Sequence, residues 1–244
     1  MEKKIALVTG AARGLGLEFC HQLGKKGYQI ILTSRKVEPG QAAVKELKDA
    51  GYEAWHQILD VRSEDHMAKL SRNLQDNFRK LDLLVNNAGI NSKSVGSPAD
   101  FLTSTKLESL DQKVLSTMFE VNAMAPVFMV KHLLPLLRAS EGAKVLNISS
   151  WLGAISLKNN GGNYGYTASK AALNMLNRAL AFDVLEYGII SIVMNPGWVQ
   201  TSMGGSRAPL TPAQSVVGML EVVENLSKED TGKFFQWDGS EHAW

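Results

Sequence analysis

The stretch Ile5-Ala6-Leu7-Val8-Thr9-Gly10-Ala11-Ala12-Arg13-Gly14-Leu15-Gly16 decides how this chain reads. A short β-rich apolar run is followed at once by a cluster of glycines and then by a helical pattern. That order predicts strand, tight turn, helix. Such a turn presents bare backbone N–H groups at the positive end of a helix dipole, where a phosphate is favoured. Glycine suits Gly10, Gly14 and Gly16 because a Cβ would stand where the ligand must come. The spacing differs from the Gly-x-Gly-x-x-Gly of the commonest dinucleotide fingerprint, since three residues separate Gly10 from Gly14.

Outward from this turn, strand and helix patterns alternate to the end. Strand patterns fall at residues 5–8, 29–32, 54–59, 81–85, 144–148, 189–194 and 233–236. Helical patterns fall at 15–25, 41–50, 64–78, 110–137, 168–186 and 212–226. Alternation of this kind predicts an α/β fold, a doubly wound parallel sheet of about seven strands with helices on both faces. The early strands show no polar alternation, as expected of strands covered on both sides. No linker, repeat or low-complexity segment interrupts residues 1–244, which read as a single domain. Ligands of such sheets bind beyond the carboxyl ends of the strands.

Composition excludes several classes. The hydrophobic fraction is 45% and the charged fraction 20%, ordinary for a globular chain of 244 residues. The net charge is +2 with its basic residues scattered, which gives no reason to expect nucleic acid or an anionic membrane as partner. The single cysteine, Cys20, cannot form an internal disulfide and reads as a small buried apolar residue. A reducing compartment, the cytoplasm, is expected. A first strand at Ile5 leaves no room for a secretory signal, and no apolar run reaches membrane-spanning length. The scattered histidines show no metal-ligand spacing. The patterns at 114–137 and 168–185 are apolar over more than one face, which predicts association into a homodimer or homotetramer.

The chemistry-bearing residues follow the strands. Tyr166 and Lys170 stand one helical turn apart on one face. A phenol of pKa near 10 is a poor catalyst at neutral pH, and a nearby ammonium favours its ionised form. Upstream, Asn147-Ile148-Ser149-Ser150 ends a buried strand and points a hydroxyl toward the expected crevice. Asn86-Asn87-Ala88-Gly89 ends the fourth strand with small residues and amides suited to a close ligand, although Asn and Gly also make plain turns. Asp60-Val61 follows the third strand and can accept from an adenine amino group or cap the next helix. Asn195-Pro196-Gly197-Trp198-Val199-Gln200-Thr201 follows the sixth and ends on a hydroxyl within reach of a phosphate or carboxamide. Each piece alone has an ordinary structural explanation.

Together and in this order the pieces resemble the short-chain dehydrogenase/reductase family over essentially the whole chain. The carrying residues are Thr9-Gly10-x-x-x-Gly14-x-Gly16, Asp60, Asn86-Asn87-Ala88-Gly89, Asn122, Ser150, Tyr166-x-x-x-Lys170 and Pro196-Gly197. The resemblance implies a Rossmann-type sheet and NAD(P)-dependent interconversion of carbonyls and alcohols. It implies Tyr166 as general acid, Lys170 on the nicotinamide ribose, Ser150 on the substrate oxygen and Asn122 holding a water of the proton relay. It also implies cofactor contacts from Gly10, Arg13, Gly14, Leu15, Gly16, Ser34, Arg35, Asp60, Val61, Asn87, Ala88, Gly89, Pro196, Gly197, Val199 and Thr201. Ser150, rather than Ser149, is followed by x-x-Gly153 as in the family pattern, and Tyr164 has Ala168 rather than a lysine four places on. Residues 158–163 lengthen the family's usual spacing between serine and tyrosine and are expected to bulge beside the crevice. That loop, the run Pro196 to Gly205 and the ending Trp237-Asp238-Gly239 to Trp244 resemble the C-factor and sniffer-like carbonyl reductases.

Cofactor choice is read at the end of the second strand. Thr33-Ser34-Arg35-Lys36 lacks the acid that would hydrogen-bond ribose hydroxyls and repel a 2′-phosphate. Arg35 offers a fork to that phosphate and Arg13 adds a second cation, so NADP(H) is expected over NAD(H). The small-molecule substrate is expected to be an uncharged, mostly apolar carbonyl or alcohol. Residues 90–107 and 203–211 are expected to line its opening, with Phe101, Trp151 and Trp198 as walls. Two rival readings remain at this point, a ketoreductase acting on a carrier-bound or polyketide-like intermediate and a non-catalytic NADP(H)-sensing protein.

Overall fold

A computed structural model gives the fold and describes residues 3–92, 94 and 104–244. Its strands are β1 (Ile5–Val8), β2 (Gln29–Ser34), β3 (Ala54–Ile58), β4 (Leu83–Asn86), β5 (Lys144–Ile148), β6 (Ile190–Asn195) and β7 (Phe234–Gln236). They form one 7-stranded sheet in the order β3-β2-β1-β4-β5-β6-β7, parallel throughout. The register aligns Val8 with Val85, Val85 with Leu146 and Leu146 with Ile192. Winding runs outward from β1 through β2 to β3, returns to β4 beside β1, and continues through β5 and β6 to β7. The reversal between β1 and β4 parts the chain connections there and opens a crevice beyond the strand ends.

The helices are α1 (Gly14–Lys25), α2 (Val37–Asp49), α3 (Glu64–Asn77), α4 (Gln112–Phe119), α5 (Ala125–Arg138), α6 (Tyr164–Leu185) and α7 (Pro212–Asn225). On one face of the sheet Phe19, Leu23, Leu47, Val216 and Met219 pack against Val8, Ile30, Leu146 and Ile192. On the other, Met67, Leu70, Met129 and Leu133 pack against Leu7, Ile31, Leu84 and Val145. Apolar burial on both faces accounts for the unalternated strands, and hydrophobic transfer at roughly 25 cal/mol per Å² is their main stabilising term. Cys20 lies in the first of these layers with no exposure, and burial pushes its thiol well up, so it serves packing. Among the described residues no helix is long and apolar enough to cross a membrane.

Three elements differ from the sequence expectation. Helix α2 starts at Val37, ahead of the pattern at 41, because Pro39 lies in its first turn, where no N–H is needed. Helix α6 starts at Tyr164, which brings Tyr166 inside it. The pattern at 110–137 is two helices joined by a π-turn, Glu120–Met124, in which the Ala125 N–H reaches Glu120 O, five residues back. Pro126 explains the change: it has no N–H to give the carbonyl of Asn122, so the regular ladder fails there.

A buried polar chain fixes α6 over the sheet. Asn86 Nδ2 donates to Asn147 Oδ1 at 2.8 Å, and Asn147 Nδ2 donates to Asn177 Oδ1 at 2.8 Å. Ser191 Oγ donates to the same Asn177 oxygen at 2.6 Å. Side chains of β4, β5, β6 and α6 thus share one network beneath the strand ends, which favours a single seating of the helix.

Candidate active site

The turn after β1 takes the shape that only its glycines allow. Gly10 and Gly14 have φ of +62° and +59°. A Cβ on Gly16 would fall 2.6 Å from Asn87 Nδ2 and 2.7 Å from Ala11 Cα, and one on Gly10 would fall 3.0 Å from Ala88 Cα. Thr9 locks this turn to the end of β4, its hydroxyl accepting from the N–H groups of Asn87 and Ala88 at 3.0 Å each. Asn87 answers by donating to Thr9 O at 2.9 Å and Gly10 O at 3.1 Å. Helix α1 begins beside it with no side-chain cap at Arg13 and no acid in its first turn. Leu15 and Gly16 are its second and third residues. Its leading N–H groups therefore have no side-chain partner of their own, as a phosphate cradle requires. A Cβ on Gly14 would lie 3.7 Å from the Thr201 methyl, which brings the loop after β6 to the same turn.

At the end of β2, Arg35 and, across the turn, Arg13 are exposed and make no ion pair among the described residues. Ser34 closes β2 beside them. Its hydroxyl is buried, donates to Lys36 O at 2.6 Å and meets His56 Nε2 at 2.8 Å. The single serine proton goes to the carbonyl, so the imidazole is the donor in the second bond. Ser34 therefore shapes the β2 turn instead of presenting a free proton. Beyond β3, Asp60 holds Arg62 through Nη2 to Oδ2 at 2.8 Å and Nε to Oδ1 at 3.2 Å. These bonds, with a smaller contribution from Arg35, hold the Asp60 carboxyl below the usual range. Val61 is nearly buried beside it. A cavity of about 370 Å³ opens here, lined by Arg35, Arg62, Ile90, Val114, Thr117 and Val121. Apolar walls with cations at the rim suit a flat base carrying a phosphate.

The other end of the crevice gathers Ser150, Tyr166, Lys170 and Asn122. Ser150 leads into a short 3₁₀ turn, Trp151–Gly153, and its Oγ accepts from Leu152 N at 3.2 Å. The neighbouring Ser149 hydroxyl points into the core and donates to Asn174 Oδ1 at 2.6 Å. Strand alternation thus leaves Ser150 facing the phenol. Lys170 is only 4% exposed, and its Nζ donates to Ile148 O at 2.7 Å and lies 5.9 Å from the centre of the Tyr166 ring. Asn122 sits in the π-turn and clamps the loop after β4. It accepts from Ile90 N at 2.9 Å and donates to Ile90 O at 2.8 Å and Ser169 Oγ at 3.0 Å. Both amide protons are spent in these bonds, so its side chain acts as a brace between that loop and α6. A Cβ on Gly89 would lie 3.4 Å from Asn122 Oδ1 and 3.8 Å from Lys170 Nζ, which brings the β4 loop to the same point.

The electrostatics correct one expectation. The ammonium of Lys170 does not bring the Tyr166 phenol down. Burial raises that phenol above its ordinary value of 10, with the Ser150 hydroxyl working the other way. Burial also lowers Lys170 to about 8. Desolvation opposes the charged form of each group. The phenol is thereby kept in its proton-bearing form.

The loop after β6 completes the wall. Gly197, with φ of +77°, has no room for a Cβ, which would meet Leu210 Cδ1 at 2.6 Å and Trp237 Cδ1 at 3.0 Å. Pro196 O accepts from Ser215 Oγ at 2.7 Å, and Val199 is buried in a bridge to Leu210. Trp151 and Trp198 are half-exposed beyond β5 and β6. Phe101, expected as a third wall, lies outside the described residues, as do 93 and 95–103 of the segment expected to line the opening. A larger cavity of about 510 Å³ lies between α7 and β7, lined among others by Glu221, Trp237 and Asp238, and none of the candidate residues borders it. The residues that sequence reasoning missed are His56 and Arg62. Their signals, a histidine within the third strand and an arginine two places past Asp60, have no meaning until the strand ends are brought together.

A family model described as short chain dehydrogenase matches residues 4–210. The chain is 35% identical over 164 residues to the C-signal protein of Myxococcus xanthus, covering 67% of this chain and 93% of that one. A crystal structure of NADPH-bound carbonyl reductase from chicken fatty liver is similar with a TM-score of 0.87 at 30% identity, covering 100% of both chains. The carbonyl reductase Sniffer of D. melanogaster is similar with a TM-score of 0.86 at 29% identity, again over 100% of both.

The buried lysine generates a pH dependence of stability. With its value lowered from 10.5 to about 8 in the fold, the unfolded chain binds the lysine's proton more tightly across that interval. Stability from this group therefore rises as pH increases from about 8 toward 10.5, until the raised phenol of Tyr166 works against it. Urea unfolding at pH 8 and pH 10 should show a smaller upward slope in Lys170→Met than in the wild type. Equal slopes in the two proteins would contradict the buried-cation description.

Proposed function

Because this chain belongs to the short-chain dehydrogenase family, we propose that it is an NADPH-dependent carbonyl reductase in which Tyr166 delivers the proton. The observation that carries the reading is the convergence of Ser150, Tyr166 and Lys170 at one end of a crevice whose other end holds the glycine turn and two unpaired arginines. The nicotinamide cofactor, when bound, supplies the hydride. The chain's residues do the rest. Ser150 donates to the substrate carbonyl oxygen and orients it. Tyr166, held neutral by burial, gives its proton to the same oxygen as charge develops there. Lys170 has one proton committed to Ile148 O and two left for the ribose hydroxyls of the nicotinamide end. Oxidation of an alcohol is the same path reversed. A non-catalytic sensor would need no such convergence.

NADP(H) is preferred over NAD(H) in this reading because Arg35 and Arg13 flank the end of β2, where no acid stands. The exposed Trp151 and Trp198 at adjacent strand ends favour an uncharged, largely apolar aldehyde or ketone. One domain spanning 1–244 carries both sites, and the lone Cys20 fits a reducing compartment, the cytoplasm. Helix α6 also turns Met175 (70% exposed), Leu176 and Phe182 (54% exposed) outward, which favours a homodimer or homotetramer through this face.

Tyr166→Phe should lower turnover of aldehydes and ketones at least about 100-fold while NADPH binding, followed by fluorescence, persists. Turnover retained in that variant would remove the phenol from the mechanism. Arg35→Asp should weaken NADPH binding strongly and NADH binding little, and equal losses would count against a phosphate contact. The double change Met175→Glu with Phe182→Glu should reduce the mass measured by sedimentation from that of an oligomer to that of one chain, and an unchanged mass would place the interface elsewhere.

A further inference from the structure

We propose that Asn163 is a positioning residue, whose left-handed backbone fixes the start of α6 and so seats the Tyr166 phenol beside Ser150. Among the described residues Asn163 is the one non-glycine with positive φ, at 54° with ψ of 39°. Side chains other than glycine avoid this region, asparagine least of all, and residues held there tend to cluster where a site needs a fixed geometry. Asn163 stands immediately before α6 and three places ahead of Tyr166.

Its surroundings hold it from both sides. The Asn163 N–H donates to Thr105 O at 3.2 Å, and Ser92 Oγ donates to Asn163 Oδ1 at 3.4 Å. The Asn163 carbonyl accepts from Thr167 N at 3.1 Å and Thr167 Oγ1 at 2.8 Å. Its side chain gives α6 no cap bond, so its backbone shape and the Ser92 contact are what it contributes. Gly162 before it is also left-handed, with φ of +82°, and a Cβ there would fall 2.9 Å from Thr105 O. Lys158 closes the loop by donating from Nζ to Asn160 Oδ1 at 2.8 Å and Gly162 O at 3.2 Å. On the far side a Cβ on Gly165 would meet Met118 Sδ at 2.5 Å, so the first turn of α6 cannot slide toward α4. The lengthened loop at 158–163 thus enters the helix through two consecutive left-handed residues. A chain that relaxed from that shape would rotate the helix start and carry the phenol with it.

The kinetic readout rests on the carbonyl reductase reading, and a second readout does not. Asn163→Ala should lower kcat roughly tenfold, the rate equivalent of an alanine's left-handed penalty, with the NADPH dissociation constant unchanged. Asn163→Gly, which adopts the same backbone freely, should restore kcat to within about threefold of wild type. Ultraviolet difference titration of the phenol, taken against Tyr166→Phe in each background, should show an altered Tyr166 titration in Asn163→Ala and a wild-type one in Asn163→Gly. Equal behaviour of the alanine and glycine variants in both measurements overturns the proposal. A wild-type chain that reduces no carbonyl overturns the activity instead, and the titration alone then decides the role of Asn163.

Discussion

The ammonium of Lys170 leaves water for a pocket in which the carbonyl of Ile148 receives it at 2.7 Å. Burying a cation costs several kcal/mol unless neighbours compensate, so the parts that enclose it are held to narrow tolerances. Gly153 packs so closely that a Cβ there would fall 2.9 Å from the Lys170 carbonyl carbon. Strand β5, the turn carrying Ser150 and helix α6 are thus packed directly on one another. Asn122 and Gly89 close the remaining side, and the phenol stands over the same enclosure. The spacing of the candidate catalytic groups follows from where this one charge is allowed to sit.

The opposite end of the crevice is organised by ordinary hydrogen bonds to the backbone. The Thr9 hydroxyl takes two N–H groups from the β4 loop, and Asn87 returns two bonds to the turn after β1. These are short-range ties between segments far apart in sequence, and they hold the parted strand ends at a fixed width. Asp60 and Arg62 form a further rigid edge, partly exposed, whose bidentate geometry does more for orientation than for stability. His56, lowered by burial, steadies the β2 turn through its bond to Ser34.

Much of this was legible in the sequence for identifiable reasons. Fully buried strands leave continuous apolar runs, so β1 and β5 have the bounds expected of them. Glycines with positive φ or touching backbone mark a turn that no other residue can make, so the glycine turn stood out. The π-turn was hidden because Met118, Val121, Ala125 and Met129 keep an apolar stripe running through it. Only Pro126 signalled the break, and proline in the first turn of a helix is unremarkable. The partners of the Ser34 hydroxyl were not legible, because a hydroxyl at a strand end looks free until its carbonyl partner is placed. The raised phenol of Tyr166 depends on burial from several segments, which residue spacing does not encode.

The π-turn at Glu120–Met124 makes the number of residues between α4 and α5 as consequential as their identity. Were the same residues wound as a regular α-helix, everything after the turn would swing by about 100°. Leu133 and Leu137 would then leave the sheet while polar neighbours took their places. The wide turn absorbs one residue of length and leaves the buried face in phase on both sides of it. It thus does inside a helix what loops do between elements, taking up an added residue without turning a buried face toward solvent.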